Sequence, residues 1–333
     1  MWFETLTGFC EESHQQVRTN IALADDTLRS RVNGKVMVCG RLETPSLREL
    51  RERVCSRRQK TGKLSVRELV GDVQRLHVLE ANTGSLFQVA SQFNLLEMAS
   101  PNLTPEHGVG LYENDRTQGP ACAIAAGAGT IFRNYFAVVN GRTGQSASNQ
   151  FDCLADLDAA LGNSGNRLWN MKNGYALASR SGLIEISDRL QKASEVELDG
   201  FRQLLRIGVQ WRTQVTLGDC THLVSQAYCS ALPVAYCRHD ASLWANFARL
   251  VLEASYEATM CAAVLNSLEN GNNRVFLTLL GGGAFGNEKE WILGAIRRAL
   301  SIYKRADLDV AIVSYGSSKA DVRELVGVVD SWS

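Results

Sequence analysis

The sequence predicts an α/β protein, three layers deep (α/β/α), on a mixed and largely parallel sheet. Three observations carry that expectation. From residue 204 onward, strand-like and helix-like segments alternate. Turn dipeptides between them are few, and the chain has only five prolines, so the connections read as crossovers that cover both sheet faces. The segment Gly281-Gly282-Gly283-Ala284-Phe285-Gly286-Asn287 lies between a buried strand and an amphipathic helix. Free backbone N–H groups and the helix dipole make such a junction an anion site, most often for phosphate.

The elements follow in order. Residues 36–39 read as a short strand, and Thr44-Pro45-Ser46 opens a helix with Pro45 suited to its first position. Residues 41–63 concentrate Arg48, Arg51, Arg53, Arg57, Arg58, Lys60 and Lys63 among Glu49 and Glu52, the pattern of a solvated helix face. Residues 76–80 read as a strand running into the loop 81–85, and 86–98 as helical. Residues 130–139 are aromatic and β-branched, a strand ending at Asn140-Gly141. Segments 152–162 and 182–192 look helical. Strands are then expected at 204–216, 222–228, 275–280 and 308–315, with helices at 243–268 and 288–303. No linker marks a boundary. The expected division is a 1–70 extension or cap on a 71–333 core.

Composition excludes several function classes. At 333 residues the chain can bury a large core. Lys plus Arg equals Asp plus Glu at 35 each, so no global field favours nucleic acid or an anionic membrane. No apolar run approaches a membrane span, and the opening residues lack a secretory pattern. Nine irregularly spaced cysteines point to reduced thiols in a cytoplasmic protein. Cys220, His222, Cys229, Cys237 and His239 do not have the spacing of a zinc knuckle, so no metal and no cofactor is expected.

The glycine segment formally satisfies Gly-x-Gly-x-x-Gly, but too little chain follows for further βαβ units, and no acid ends the next strand. It also begins like a P-loop, yet Asn287-Glu288 stands where Lys-Ser/Thr is required. The order of strand, Gly-rich loop with Ala284-Phe285-Gly286, helix and final strand resembles the second phosphate loop of macrodomains, the ADP-ribose-binding α/β/α family. Thr221-His222-Leu223-Val224 through Ala231-Leu232-Pro233-Val234 and Tyr236 resembles the strand and turn before that family's long helix.

His77-Val78-Leu79-Glu80-Ala81-Asn82 looks like the strand and Asn loop of the poly(ADP-ribose) glycohydrolase branch, which implies Asn82 beside the distal ribose, across a cleft from the glycine loop. Gln92-Phe93-Asn94 through Leu103 resembles the stretch that holds that branch's tandem catalytic glutamates. Here Phe93-Asn94 stands in their place. Three nearby acids, Glu97, Glu106 and Asp115, make the chain similar to the macrodomain hydrolases typified by the Legionella effector MavL, which act on arginine-linked ADP-ribose of ubiquitin. The resemblance implies a mono-ADP-ribosyl-protein hydrolase with Glu97, Glu106 and Asp115 as catalytic acids. Asn82, Phe93, Asn94, Gly282, Gly283, Ala284, Phe285, Gly286 and Asn287 are the implied ligand contacts. The partners expected are ADP-ribose and an ADP-ribosylated protein such as ubiquitin. A non-catalytic ADP-ribose reader, or an enzyme processing NAD metabolites or nucleotide sugars, needs only the same diphosphate grip.

Overall fold

In the computed structural model, which describes residues 1–57 and 62–332, seven strands form one central sheet. In chain order they are β1 (Arg41–Glu43), β2 (Ser65–Val70), β3 (Leu86–Ala90), β4 (Gly208–Gln214), β5 (Leu223–Cys229), β6 (Arg274–Leu277) and β7 (Asp309–Ser314). Across the sheet the order is β1-β4-β5-β3-β6-β7-β2. The run β5-β3-β6-β7-β2 is parallel, while β4 pairs antiparallel with both β5 and β1. The sheet is therefore mixed and largely parallel.

Side-chain alternation along β3 and β5 shows that both faces are covered. Phe87 stacks on His77 of the helix Val73–Val78, with ring centroids 3.7 Å apart. The next residue, Gln88, points the other way and donates to Thr259 Oγ1 of the helix Ala241–Asn270 at 2.9 Å. On β5, Gln226 reaches the Cys122 carbonyl of the helix Gln118–Ala125 (3.0 Å), and Cys229 lies against Thr259. One layer thus holds Val73–Val78 and Gln118–Ala125. The other holds Ala241–Asn270, with Lys289–Ile302 packed beside it.

Residues 1–38 build a separate three-stranded antiparallel sheet and share a second apolar core with residues 96–136, centred on Phe3, Leu28, Tyr112 and Tyr135. A division at residue 70 cuts through the central sheet, because both edge strands, β1 and β2, precede it. The basic run is also more than a solvated face. Arg51 makes two 2.8 Å bonds to Asp199 and one of 2.5 Å to the buried Glu257, pinning the helix Leu47–Cys55 against the long helix. Arg58 and Lys60 lie outside the described residues. Pro45 precedes the helix cap rather than entering the helix: Ser46 accepts from the Glu49 amide, and Glu49 returns the bond.

Three further expectations fail in the region 73–139. Residues 76–80 belong to the helix Val73–Val78 and a 3₁₀ turn, begun by Asp72, whose carboxylate accepts from the Gln74 amide at 2.8 Å. The expected helix at 86–98 is β3 followed by a loop, and the expected strand at 130–139 is largely the helix Gly127–Tyr135. Leu86, Phe87, Gln88 and Val89 are all buried, as are Thr130, Ile131, Arg133, Asn134 and Tyr135. Segments enclosed on every side carry no polar–apolar period, so pattern and propensity cannot decide between helix and strand. In the carboxyl-terminal half the expected elements are present, with ends moved by a few residues. No helix among the described residues is long and apolar enough to cross a membrane.

Candidate functional site

The parallel strands β3, β6, β7 and β2 bring their carboxyl ends to one edge of the sheet, where ligands collect in open α/β sheets. The glycine segment leaves β6 there. Gly281 takes φ +74° and Gly286 φ +70°. A Cβ on Gly281 would collide with the Ala231 side chain, and one on Gly286 would lie 2.9 Å from Ala235 Cβ. Both positions thus demand glycine for the turn and for close approach to the chain after β5. Asn287 locks the loop by donating to the Leu232 carbonyl at 2.8 Å, and the Ala235 amide donates to Phe285 at 3.0 Å. Among the described residues nothing accepts from the amides of Gly283, Ala284 or Phe285. Three consecutive N–H groups are thus left free at the cavity edge, the kind of group that can hold an anion.

Two adjoining cavities meet at these amides. The smaller, of about 200 Å³, is lined by Gly281, Gly283, Ala284 and Phe285, by Ser91 and Gln92 after β3, and by Glu97, Asp115, Tyr175 and Tyr236. Its aromatic wall is a trio: Tyr175 lies 5.0 Å from Tyr236 and 5.3 Å from Phe285, and Tyr236 lies 5.5 Å from Phe285. The larger cavity, of about 800 Å³, shares Asp115, Thr117, Gln118, Thr278 and Gly283 with the first. It extends past Ile292, Val313 and Tyr315 on one side and Asp72, Val73 and Gln74 on the other.

Glu97 and Asp115 both line the small cavity, in unlike surroundings, but the carboxyl oxygens of Glu97 are themselves enclosed. Glu97 is 2% exposed, and neither of its carboxyl oxygens is hydrogen-bonded among the described residues. Burial pushes its pKa up to about 8, against the pull of the Arg133 guanidinium 3.6 Å away. It thus holds its proton at neutral pH. Asp115 is half-buried and caps the following turn by accepting from the Thr117 amide at 2.8 Å. Glu106 lies apart from both. It is exposed, lines neither cavity, and accepts from the Ala147 amide through both oxygens, at 2.9 and 3.1 Å. Those bonds hold its pKa below the usual carboxylate value against its partial burial. The three acids do not form one cluster.

Of the expected ligand contacts, Gly282, Gly283, Ala284 and Phe285 line the cavities. Gly286 and Asn287 shape the loop from behind. Asn82 is at the wrong end of the sheet: its loop precedes β3, beside Asn272 at the start of β6, and its side chain donates to the Leu76 carbonyl at 2.8 Å. The misread strand at 76–80 produced that error, since a loop following a strand and a loop preceding one lie at opposite edges. Phe93 and Asn94 are fully enclosed, Phe93 in the core and Asn94 bonded to Gln150, and neither reaches a cavity.

The sequence reading passed over Asp72, Gln118, Tyr175, Tyr236 and Tyr315. Asp72 and Tyr315 follow β2 and β7, so reading 65–70 as a strand would have exposed Asp72. Gln118 fastens the cleft floor to β3, accepting from the Ala90 amide and donating to the Gln88 carbonyl, each at 2.9 Å. Nothing in the local sequence marks Tyr175, which arrives from a distant hairpin. Among the described residues no group of three His, Cys, Asp or Glu side chains is placed to hold a metal ion; His222 is engaged with the His77 carbonyl.

No family model matches the sequence, and no curated protein does. Among solved structures, the chain is similar to poly(ADP-ribose) glycohydrolase from Thermomonospora curvata, at 10% identity over 95% of each chain with a TM-score of 0.45. The same enzyme bound to the inhibitor ADP-HPD gives 11%, 94% of each chain and 0.43. Poly(ADP-ribose) glycohydrolase from Deinococcus radiodurans in complex with ADP-ribose gives 13%, 88% of this chain and 94% of that chain, and 0.43. Likeness at this distance assigns no role to any residue, and the functional reading rests on the cleft itself.

Proposed function

We propose that the cleft binds ADP-ribose in the manner of a macrodomain and that the protein hydrolyses mono-ADP-ribosyl groups from modified protein, with arginine as the linked residue and ubiquitin as a candidate carrier. The observation that carries this reading is the set of free amides at Gly283, Ala284 and Phe285, located where the two cavities join. A diphosphate on those amides sends one half of the molecule into each cavity. The larger, with apolar walls at Val73, Ile292 and Val313, suits a nucleoside, and its volume is typical of ligand pockets. The smaller suits the distal ribose against Phe285 and Tyr236.

The two acids of the small cavity then have distinct tasks. Cleavage of an ADP-ribosyl–arginine bond breaks ribose C1–N as water forms the new C1–O bond, through an oxocarbenium-like centre. The guanidinium leaves as a neutral guanidine, and a water proton restores its charge. Asp115, open to the cleft, is suited to accept that proton and pass it on, and to stabilise the cationic ribose. Glu97 stands behind the cavity wall with neither carboxyl oxygen exposed, and its raised pKa keeps a second negative charge away from the ligand. Anchoring the diphosphate at a distance supplies binding energy that fixes the reacting bond.

A second reading, a reader that binds without cleaving, is favoured by the position of Glu106, which leaves two of the three expected acids at the cleft. Calorimetry with free ADP-ribose tests the binding claim: an absence of heat at millimolar ligand refutes it. Incubation with proteins carrying arginine-, serine- and glutamate-linked ADP-ribose separates the readings. Free ADP-ribose from the arginine linkage alone is the expected result. Binding with no release from any linkage establishes the reader. Turnover of NAD metabolites or nucleotide sugars without ADP-ribosyl-protein cleavage assigns the same diphosphate grip to a different reaction.

A further inference from the structure

Asp115 closes the 3₁₀ helix Gly110–Asn114, and the start of that short helix is held by a residue almost a hundred positions earlier in the chain. Glu11 accepts from the Val109 amide at 3.0 Å through Oε1 and from the Gly110 amide at 2.5 Å through Oε2. The Tyr135 hydroxyl also donates to Oε1. The carboxylate fills the space beside two glycines: a Cβ on Gly108 would collide with Oε2, and one on Gly110 would lie 2.7 Å from it. Trp2 adds a second attachment. Its amide donates to the Glu113 carboxylate at 3.1 Å, its indole N–H donates to the Val109 carbonyl at 3.3 Å, and its ring forms part of the larger cavity wall.

We infer that Glu11 is a positioning residue: through the Val109 and Gly110 amides it fixes where the segment 109–115 ends, and so where the Asp115 carboxylate stands in the cleft. The inference rests on the hydrolase reading given above. The geometry that supports it is independent of any ligand. Four donors and acceptors from residues 2 and 11 converge on 109–113, and Asp115 is tied to that segment by its own amide, which donates to the Tyr112 carbonyl at 3.1 Å, while its carboxylate accepts from the Thr117 amide. A charged acceptor on two adjacent amides is the strong form of hydrogen bond. Neutralising it loosens a segment whose far end carries the reacting carboxylate. Displacement of a catalytic group by about 1 Å costs on the order of a hundredfold in rate.

The test compares Glu11→Gln with the unaltered protein; Gln keeps the volume and removes the charge, so the fold is retained. Amide hydrogen exchange at 109–117 is expected to quicken by about tenfold, with the β6 and β7 amides unchanged. On arginine-linked ADP-ribosyl substrate, kcat is expected to fall by about tenfold to a hundredfold, with the calorimetric Kd and stoichiometry for ADP-ribose held within about twofold. Trp2→Phe, which keeps the ring and loses the indole N–H, is expected to show a smaller change in the same direction. Exchange that is unchanged, or that quickens evenly along the chain, overturns the inference, as does an unaltered kcat. A fall in binding stoichiometry parallel to kcat also overturns it, because that marks simple loss of folded protein. If the unaltered protein binds no ADP-ribose, the functional reading fails instead, and exchange at 109–117 still decides whether Glu11 holds the segment.

Discussion

The guanidinium of Arg133 lies 3.6 Å from a Glu97 oxygen and 3.6 Å from the centroid of the Tyr228 ring, with both the Arg133 and Glu97 side chains enclosed. Arg133 is anchored by donating to the Leu95 carbonyl and Thr130 Oγ1, each at 3.1 Å, but its Nη1 has no partner among the described residues. The pair is thus a loose one, and the π-face of Tyr228 supplies part of what a full counter-ion would. Burial holds the Glu97 pKa at about 8, above its ordinary 4.5. A carboxyl with a raised folded pKa contributes stability that is complete below its unfolded pKa and is lost as pH rises through the folded value. Urea unfolding between pH 5 and 9 should therefore show Glu97→Gln gaining on the parent as pH rises toward about 8, with a constant difference between the two above it. Parallel pH slopes in the two proteins would show that Glu97 is ionised throughout.

His77 titrates in the opposite sense. Its Nδ1–H donates to the Val73 carbonyl at 2.8 Å, which leaves Nε2 to accept from Gln226 at 3.0 Å, so the ring is held neutral. Burial lowers its pKa from 6.5 to about 4. Below pH 6.5 the unfolded chain takes up a proton that the folded ring refuses, and stability falls until about pH 4, by about 3 kcal/mol in all. In His77→Gln this contribution should disappear, leaving the Glu97 loss between about pH 4.5 and 8 unopposed. An NMR titration that finds the folded ring protonated at pH 6 would refute the assignment.

How much of this could be read from the chain follows from local environment. The segment 274–316 was legible because its strand, glycine turn and helix each have a distinct period and a clear end. Around residue 80 the apolar residues Leu76, Val78 and Leu79 suit a helix or a strand equally. The choice fell to Asp72, whose capping bond to Gln74 is visible only in three dimensions. That one misreading put Asn82 at the cleft, although it lies at the opposite sheet edge. Asp115 was found by its polar loop. Tyr175 was not, because its place beside Phe285 depends on how a remote hairpin folds back. Glu11 was hidden for the same reason: its partners are about a hundred positions away in sequence.

The glycine loop separates conformational demand from ligand contact. Gly281→Ala forces a side chain to φ +74° and into Ala231, and should cost about 1–2 kcal/mol of stability as well as ligand binding. Gly283→Ala meets nothing within 4 Å and carries no positive φ. Its thermal midpoint should match the parent while ADP-ribose affinity falls, since the new methyl crowds the free amides. Equal losses of stability in both variants would show that the loop is held by packing at Gly283 too.

Phe285 lies between loop and cavity, half-buried against Tyr175 and Tyr236. Packing of the ring against the distal ribose buries apolar surface, an effect of about 1–3 kcal/mol for a phenylalanine side chain. Phe285→Ala should therefore weaken ADP-ribose binding by roughly fivefold to a hundredfold in calorimetry, and Phe285→Tyr should restore most of it. Full affinity in the alanine variant would assign the ring to core packing alone.

The separation of Glu106 from the cleft gives the most direct contrast for catalysis. Asp115 faces both cavities, and its loss as a proton acceptor should lower kcat for arginine-linked ADP-ribose release by about 10²- to 10⁴-fold in Asp115→Asn, with ADP-ribose still bound. Glu106→Gln keeps one oxygen for the Ala147 amide and removes a charge that lines neither cavity. It should leave turnover within about twofold of the parent, because the removed charge has no route to the reacting bond except through long-range field. If Glu106→Gln instead abolished release while Asp115→Asn was harmless, the reacting bond would have to lie outside the cleft described, on the side of the molecule where the Ala147 loop meets the 3₁₀ turn Pro105–His107.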